Sequence, residues 1–135
     1  MTKTPINTIT HAQVGKFMDK PTMSRYQDTA TQVAFYPGQG TPLGVAYCAL
    51  KLNGEAGELA EHVGKAMRDD GYVVREELTP ARKLSLIREM GDVMWYLAAL
   101  CNELDIRMEQ VAYANLNKLS SRSERGTLSG SGDNR

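Results

Sequence analysis

The chain has 135 residues, enough for one domain with a real core and too few for two. Lys plus Arg and Asp plus Glu balance at 16 each, which excludes a global basic field for nucleic acid, and 41% hydrophobic residues is ordinary for a globular protein. No apolar run reaches membrane-spanning length, no apolar signal core follows Met1-Thr2-Lys3-Thr4-Pro5, and Cys48 and Cys101 both lie in helical apolar patterns. We therefore expect a cytoplasmic protein with buried free thiols, bound neither to membrane nor to nucleic acid.

Residues 1–9 read as a polar arm, and Thr10 with Gln13 forms a potential capping box for a short helix that Pro21 ends. Ser24 and Gln27 repeat that start signal, and Tyr26, Ala30, Val33 and Ala34 give a helical stripe to about Phe35. Tyr36-Pro37-Gly38-Gln39-Gly40 is a turn by composition. Thr41-Pro42 then supplies a hydroxyl cap followed by proline, where a missing N–H does no harm. From there a periodic pattern runs to about Met67, with Leu43, Ala46, Tyr47, Leu50, Gly54, Gly57 and Val63 along one side. At 1.5 Å per residue such a helix is roughly 38 Å long.

Residues 72–78 are expected to be extended or a flap. Thr79-Pro80 restarts a helix in which Leu84, Ile87, Gly91, Met94, Ala98 and Cys101 follow a seven-residue apolar repeat. A last helix runs from about Met108 to Ser120, and the Ser, Gly, Arg and Asp beyond cannot bury enough to order themselves. The expected architecture is all-α, a bundle of four to five helices with two long central ones. The expected divisions are an N-terminal arm with a short helix (1–23), the helical domain (24–122) and a disordered tail (123–135).

Two acidic signatures sit on the long helices, Glu55 with Glu58 and Glu89 with Asp92. Spacing of three places each pair on one helix face, with Cβ atoms roughly 5–6 Å apart. If the faces meet, four carboxylates converge, and each close pair costs about 4 kcal/mol at 4 Å and an effective dielectric of about 20. A cage of hard oxygens suits Mg²⁺ or Mn²⁺ as the offset. Gly54, Gly57 and Gly91 stand beside the acids, each costing about 1 kcal/mol against alanine, which close helix approach explains. On the last helix Asn115, Lys118 and Arg122 share a face, and Lys65 follows Glu58 by seven. Such groups suit a polyphosphate whose leaving group gains charge.

Trp95 and Met90, Met94 and Met108 read as packing, Tyr96 as core or a stacking surface, and His62 as a polar surface residue. A di-iron bundle needs Glu-x-x-His motifs, which neither His11 nor His62 completes. A non-catalytic helical oligomer with a salt-bridged acidic face is the alternative. It predicts no dependence on divalent metal.

The order Glu55-x-x-Glu58, spacer, Glu89-x-x-Asp92, then Asn115-Leu116-Asn117-Lys118-Leu119 resembles the all-α, MazG-like nucleoside triphosphate pyrophosphohydrolases. The resemblance implies Mg²⁺ (Mn²⁺ as a substitute) on Glu55, Glu58, Glu89 and Asp92, and cleavage of an NTP or dNTP between the α and β phosphates to a monophosphate and pyrophosphate. With it, Glu55 or Glu58 becomes the proton acceptor, with the preference on Glu55. Lys65, Asn115, Lys118 and Arg122 become the phosphate-binding groups, and Tyr26 and Tyr96 the candidates for the base. The wide gap between Glu58 and Glu89 departs from compact members of that family, so substrate contacts in 69–79 do not transfer. Long helices with an apolar seam further predict a homodimer or homotetramer.

Overall fold

The computed structural model describes residues 8–129, in which helices are the only regular elements. Helix α1 (His11–Asp19) begins as expected: the Thr10 hydroxyl accepts from the Gln13 N–H, and the Gln13 side chain accepts from the Thr10 N–H at 2.8 Å. Helix α2 (Met23–Ala30) differs at both ends. Its cap is Thr22, whose hydroxyl accepts from the Arg25 N–H at 3.1 Å, and not Ser24, whose expected box partner Gln27 is bonded elsewhere, while the Ser24 N–H donates to the Glu109 carboxylate. It stops at Ala30, where the Thr31 hydroxyl bonds back to the Gln27 carbonyl at 2.7 Å and a single 3-10 turn, Thr31–Val33, follows. The stripe expected to reach Phe35 therefore ends early, leaving Phe35 exposed and Tyr36 buried.

Helix α3 (Pro42–Asp69) and helix α5 (Pro80–Glu103) are the two long central helices, capped by Thr41 and Thr79 with proline just inside. Between them the segment expected to be extended or a flap is not extended and contains one helical turn, α4 (Tyr72–Arg75), bounded by left-handed Gly71 and Glu76. Helix α6 (Met108–Glu124) continues past Ser120, so the last helix is longer than expected, and the end of the tail lies outside the described residues.

Packing is dominated by α3 against α5, with α2 lying on both α5 and α6. Most of the buried apolar side chains gather at one end of the pair, with Ala66 buried toward the other. Tyr36, Cys48 and Ala99 form one cluster with Tyr47, Trp95 and Leu100, and Ala98, Cys101 and Met108 form another with Tyr26, Leu97 and Ile106. Both cysteines are buried free thiols, as expected. Gln27, 1% exposed, stitches three helices: it donates to Asn102 Oδ1 (2.6 Å) and the Ile106 carbonyl (3.0 Å) and accepts from the Met108 N–H (2.9 Å). Glu103 locks the turn before α3, accepting from the Tyr36 hydroxyl at 2.6 Å and from the Gly40 N–H.

The seam between α3 and α5 is rotated from the one the apolar repeat predicts. Its buried and half-buried positions are Cys48, Leu52, Glu55, Leu59, His62 and Ala66 on α3, facing Leu86, Glu89, Val93, Leu97 and Leu100 on α5. The expected stripes hold only in part: Tyr47, Ala98 and Cys101 are in the core, but Leu43 and Leu50, and Leu84, Ile87 and Met94, are exposed, as is Met90, so Met90 and Met94 do not pack in the core. Among the described residues nothing lies within 4 Å of a methyl group placed at Gly54, Gly57 or Gly91. Close approach inside this chain does not account for those glycines; it occurs at Gly44, against Gly38 and Glu103.

Candidate functional site

Rotation of the seam is what places acids between the helices. Glu55 and Glu89 occupy seam positions and are pressed inward, Glu55 to 9% exposure, while Glu58, one turn along α3, stays open to solvent. One carboxylate oxygen from each of Glu55, Glu58 and Glu89 lies within 4.8 Å of the others. Neighbouring oxygens on one Mg²⁺ are about 3 Å apart, so side-chain rotations that draw these oxygens together by about 1–2 Å would close this set on a cation. The donors are all hard oxygens, with no thiolate or imidazole among them, which fits Mg²⁺ or Mn²⁺ and not a zinc-type site. Asp92, the fourth expected acid, is exposed and stands outside this group of three. Its charge instead reaches Tyr26, whose phenol is pushed up by burial and then by Asp92.

The remaining expected residues are spread more widely. Lys65 is bonded to Glu61 at 2.9 Å. Asn115 and Lys118 are exposed on α6, whereas Arg122, on the same helix, is 7% exposed. Among the described residues α6 packs on α2, and no packing of comparable extent joins it to α3 and the acids. Tyr26 is packed among Ala98, Cys101 and Met108, in edge contact with Phe17. Tyr96 stands close to the acids, its ring 4.9 Å from Trp95 and under the Lys51 ammonium. Trp95 is core, as expected, donating its indole N–H to the Ala30 carbonyl at 2.9 Å.

Two side chains at the site, Lys51 and Arg82, went unread in the sequence, and a third, His62, was read as surface. Lys51 bonds Glu55 at 3.1 Å, and that carboxylate raises the ammonium's pKa. His62 is no plain surface residue: its Nε2 lies 3.5 Å from Glu89 Oε1. Arg82 in turn reaches His62 Nδ1 at 3.4 Å and Asp70 at 2.8 Å. The signal was helical spacing: Lys51 precedes Glu55 by four, His62 follows it by seven, and Arg82 precedes Glu89 by seven.

The profile of the MazG nucleotide pyrophosphohydrolase domain matches residues 46–127, which contain all four acids and the α6 basic face. The chain belongs to the MazG family. A relative of this MazG chain, the Gene 37 protein of Mycobacterium phage L5, is 46% identical over 113 residues, covering 82% of this chain and 96% of that protein. No solved structure gives a significant match.

Proposed function

We propose that this MazG-family chain is a Mg²⁺-dependent pyrophosphohydrolase that converts a nucleoside triphosphate, NTP or dNTP, to the monophosphate and pyrophosphate. The observation that carries the reading is the convergence of Glu55, Glu58 and Glu89 within 4.8 Å, inside the segment that matches the family. These three side chains would hold the divalent cation, with Asp92 joining from the next turn of α5. When bound, the cation supplies charge neutralisation at the phosphates and lowers the pKa of a water. Glu58 is assigned the proton of the attacking water, in place of the Glu55 preferred from sequence. Glu55 is turned into the seam and bonded to Lys51, whereas Glu58 opens to the solvent from which water arrives.

Lys51 is placed to meet phosphate oxygens once a metal replaces it beside Glu55, and Lys65 lies two turns along the same helix from Glu58. Tyr96 is the better candidate of the two tyrosines for stacking on the base, since Tyr26 is engaged in packing. The basic face of α6 would serve the leaving pyrophosphate from a second copy of the chain. Two features support a homodimer or homotetramer. The exposed Leu, Ile and Met stripes of α3 and α5 are unusual for a monomer, and the glycines embedded in them have room beside them that a partner helix would use. The alternative, a non-catalytic oligomer, draws on the Lys51–Glu55 and Lys65–Glu61 pairs, which already neutralise part of the acidic face. A panel of NTPs and dNTPs incubated with the protein and Mg²⁺ separates the two. Pyrophosphate released from at least one nucleotide is expected, and none from any of them would leave the oligomer reading.

A further inference from the structure

Beyond the acids runs a chain of side chains that the family match does not explain. Asp70, at the C-terminal cap of α3, accepts from Arg82 Nε at 2.8 Å, and both groups are mostly buried, 21% and 18% exposed at the side chain. A second guanidinium nitrogen of Arg82 lies 3.4 Å from His62 Nδ1, and His62 Nε2 lies 3.5 Å from Glu89 Oε1. Guanidinium has donors only, so at this contact Nδ1 must accept. That leaves the imidazole proton on Nε2, the nitrogen facing the Glu89 carboxylate. The tautomer is thus dictated from Arg82, and the protonated nitrogen is the one that lies 3.5 Å from Glu89 Oε1.

We infer that Asp70, Arg82 and His62 form a positioning relay that holds the Glu89 carboxylate toward Glu55 and Glu58. It rests on the reading of Glu89 as a metal ligand. The relay joins the start of the α3–α5 connection to the site, since Asp70 closes α3 and Arg82 lies in the first turn of α5. His62 is a positioning residue and touches no reacting atom. Donors behind a ligating side chain fix its orientation, and their loss typically weakens metal binding by about 10–100-fold.

The test is Mn²⁺ titration of the full chain by calorimetry without nucleotide, alongside thermal unfolding in EDTA. His62→Leu is expected to weaken Mn²⁺ binding about tenfold or more. His62→Gln, which keeps an N–H donor near the Nε2 position, should recover most of that loss. Arg82→Leu should weaken binding similarly, and in the His62→Leu background it should add less than about twofold, since the two act through one contact. In turnover assays the Mg²⁺ concentration for half activity should rise in His62→Leu, with kcat at saturating Mg²⁺ nearly kept. Mn²⁺ affinity within twofold of the unaltered chain in a folded His62→Leu protein overturns the relay, as do fully additive losses. An unaltered chain that binds no Mn²⁺ overturns the relay together with the metal-site reading, which keeps the two failures distinct.

Discussion

Glu58→Gln tests the electrostatics of the site with almost no change in shape. In the metal-free chain the Glu58 carboxylate has Glu55 and Glu89 within 4.8 Å. At that separation one pair of like charges costs about 0.9 kcal/mol in a water-like dielectric and about 3.5 kcal/mol at an effective value of 20. Glu58 is exposed, and Lys51 already offsets Glu55, so the lower limit applies to each pair. Removing the charge should stabilise the metal-free protein by about 1–2 kcal/mol, a rise of about 3–6 °C in Tm for a chain of this size. Divalent metal reverses the order. At one hundred times its Kd, Mg²⁺ should stabilise the unaltered chain by about 2.7 kcal/mol, and the variant, short of a ligand, should gain little. Thermal unfolding by circular dichroism, in EDTA and in excess Mg²⁺, reads both signs. A variant less stable than the parent in EDTA, or an equal gain from Mg²⁺ in both proteins, would refute the reasoning.

At Gly44 an added methyl would sit 2.5 Å from the Gly38 carbonyl and 2.7 Å from a Glu103 carboxylate oxygen. Gly44→Ala should accordingly cost about 1–3 kcal/mol by overpacking, and an unchanged urea midpoint would show that Glu103 does not lock that turn. Gly57→Ala meets nothing within 4 Å and should leave the fold intact while shifting sedimentation toward monomer; an undisturbed oligomer would place the interface elsewhere. Burial, and then the bond to Glu103, push the Tyr36 phenol well above its ordinary value. The unfolded chain therefore ionises first, so this contribution is complete below about pH 10 and declines as pH rises beyond it. Tyr36→Phe should flatten that alkaline loss in a pH series of unfolding curves, and an unaltered alkaline limb would assign it to other groups.

Local chemistry was the legible part of the fold. The Thr10–Gln13 box and the Thr41-Pro42 and Thr79-Pro80 starts depend on residues within one turn, and all three appear where the sequence puts them. The two ends of α2 depend in part on contacts far along the chain, since Ser24 at its start bonds to Glu109, and Gln27 and Thr31 near its end bond to Asn102. No local pattern carries that information. The seam was misread for a different reason. Apolar periodicity favours the Leu84–Ile87–Met94 stripe as the inner face, but the face that meets α3 includes Glu89, just as the α3 face includes Glu55 and His62. A sequence shows two apolar faces on such a helix without saying which one meets its own chain. The acids were legible as a spaced pair of pairs, yet the relay behind Glu89 was not, because a lone histidine four residues past Glu58 looks like any exposed helix residue.

The central claim is the reaction itself, and ³¹P NMR of nucleoside triphosphate turnover observes it directly. With Mg²⁺ present, monophosphate and pyrophosphate resonances should appear together in equal amounts, EDTA should stop both, and Glu58→Gln should show neither. Release of diphosphate and inorganic phosphate, or turnover that persists in EDTA, would contradict the account.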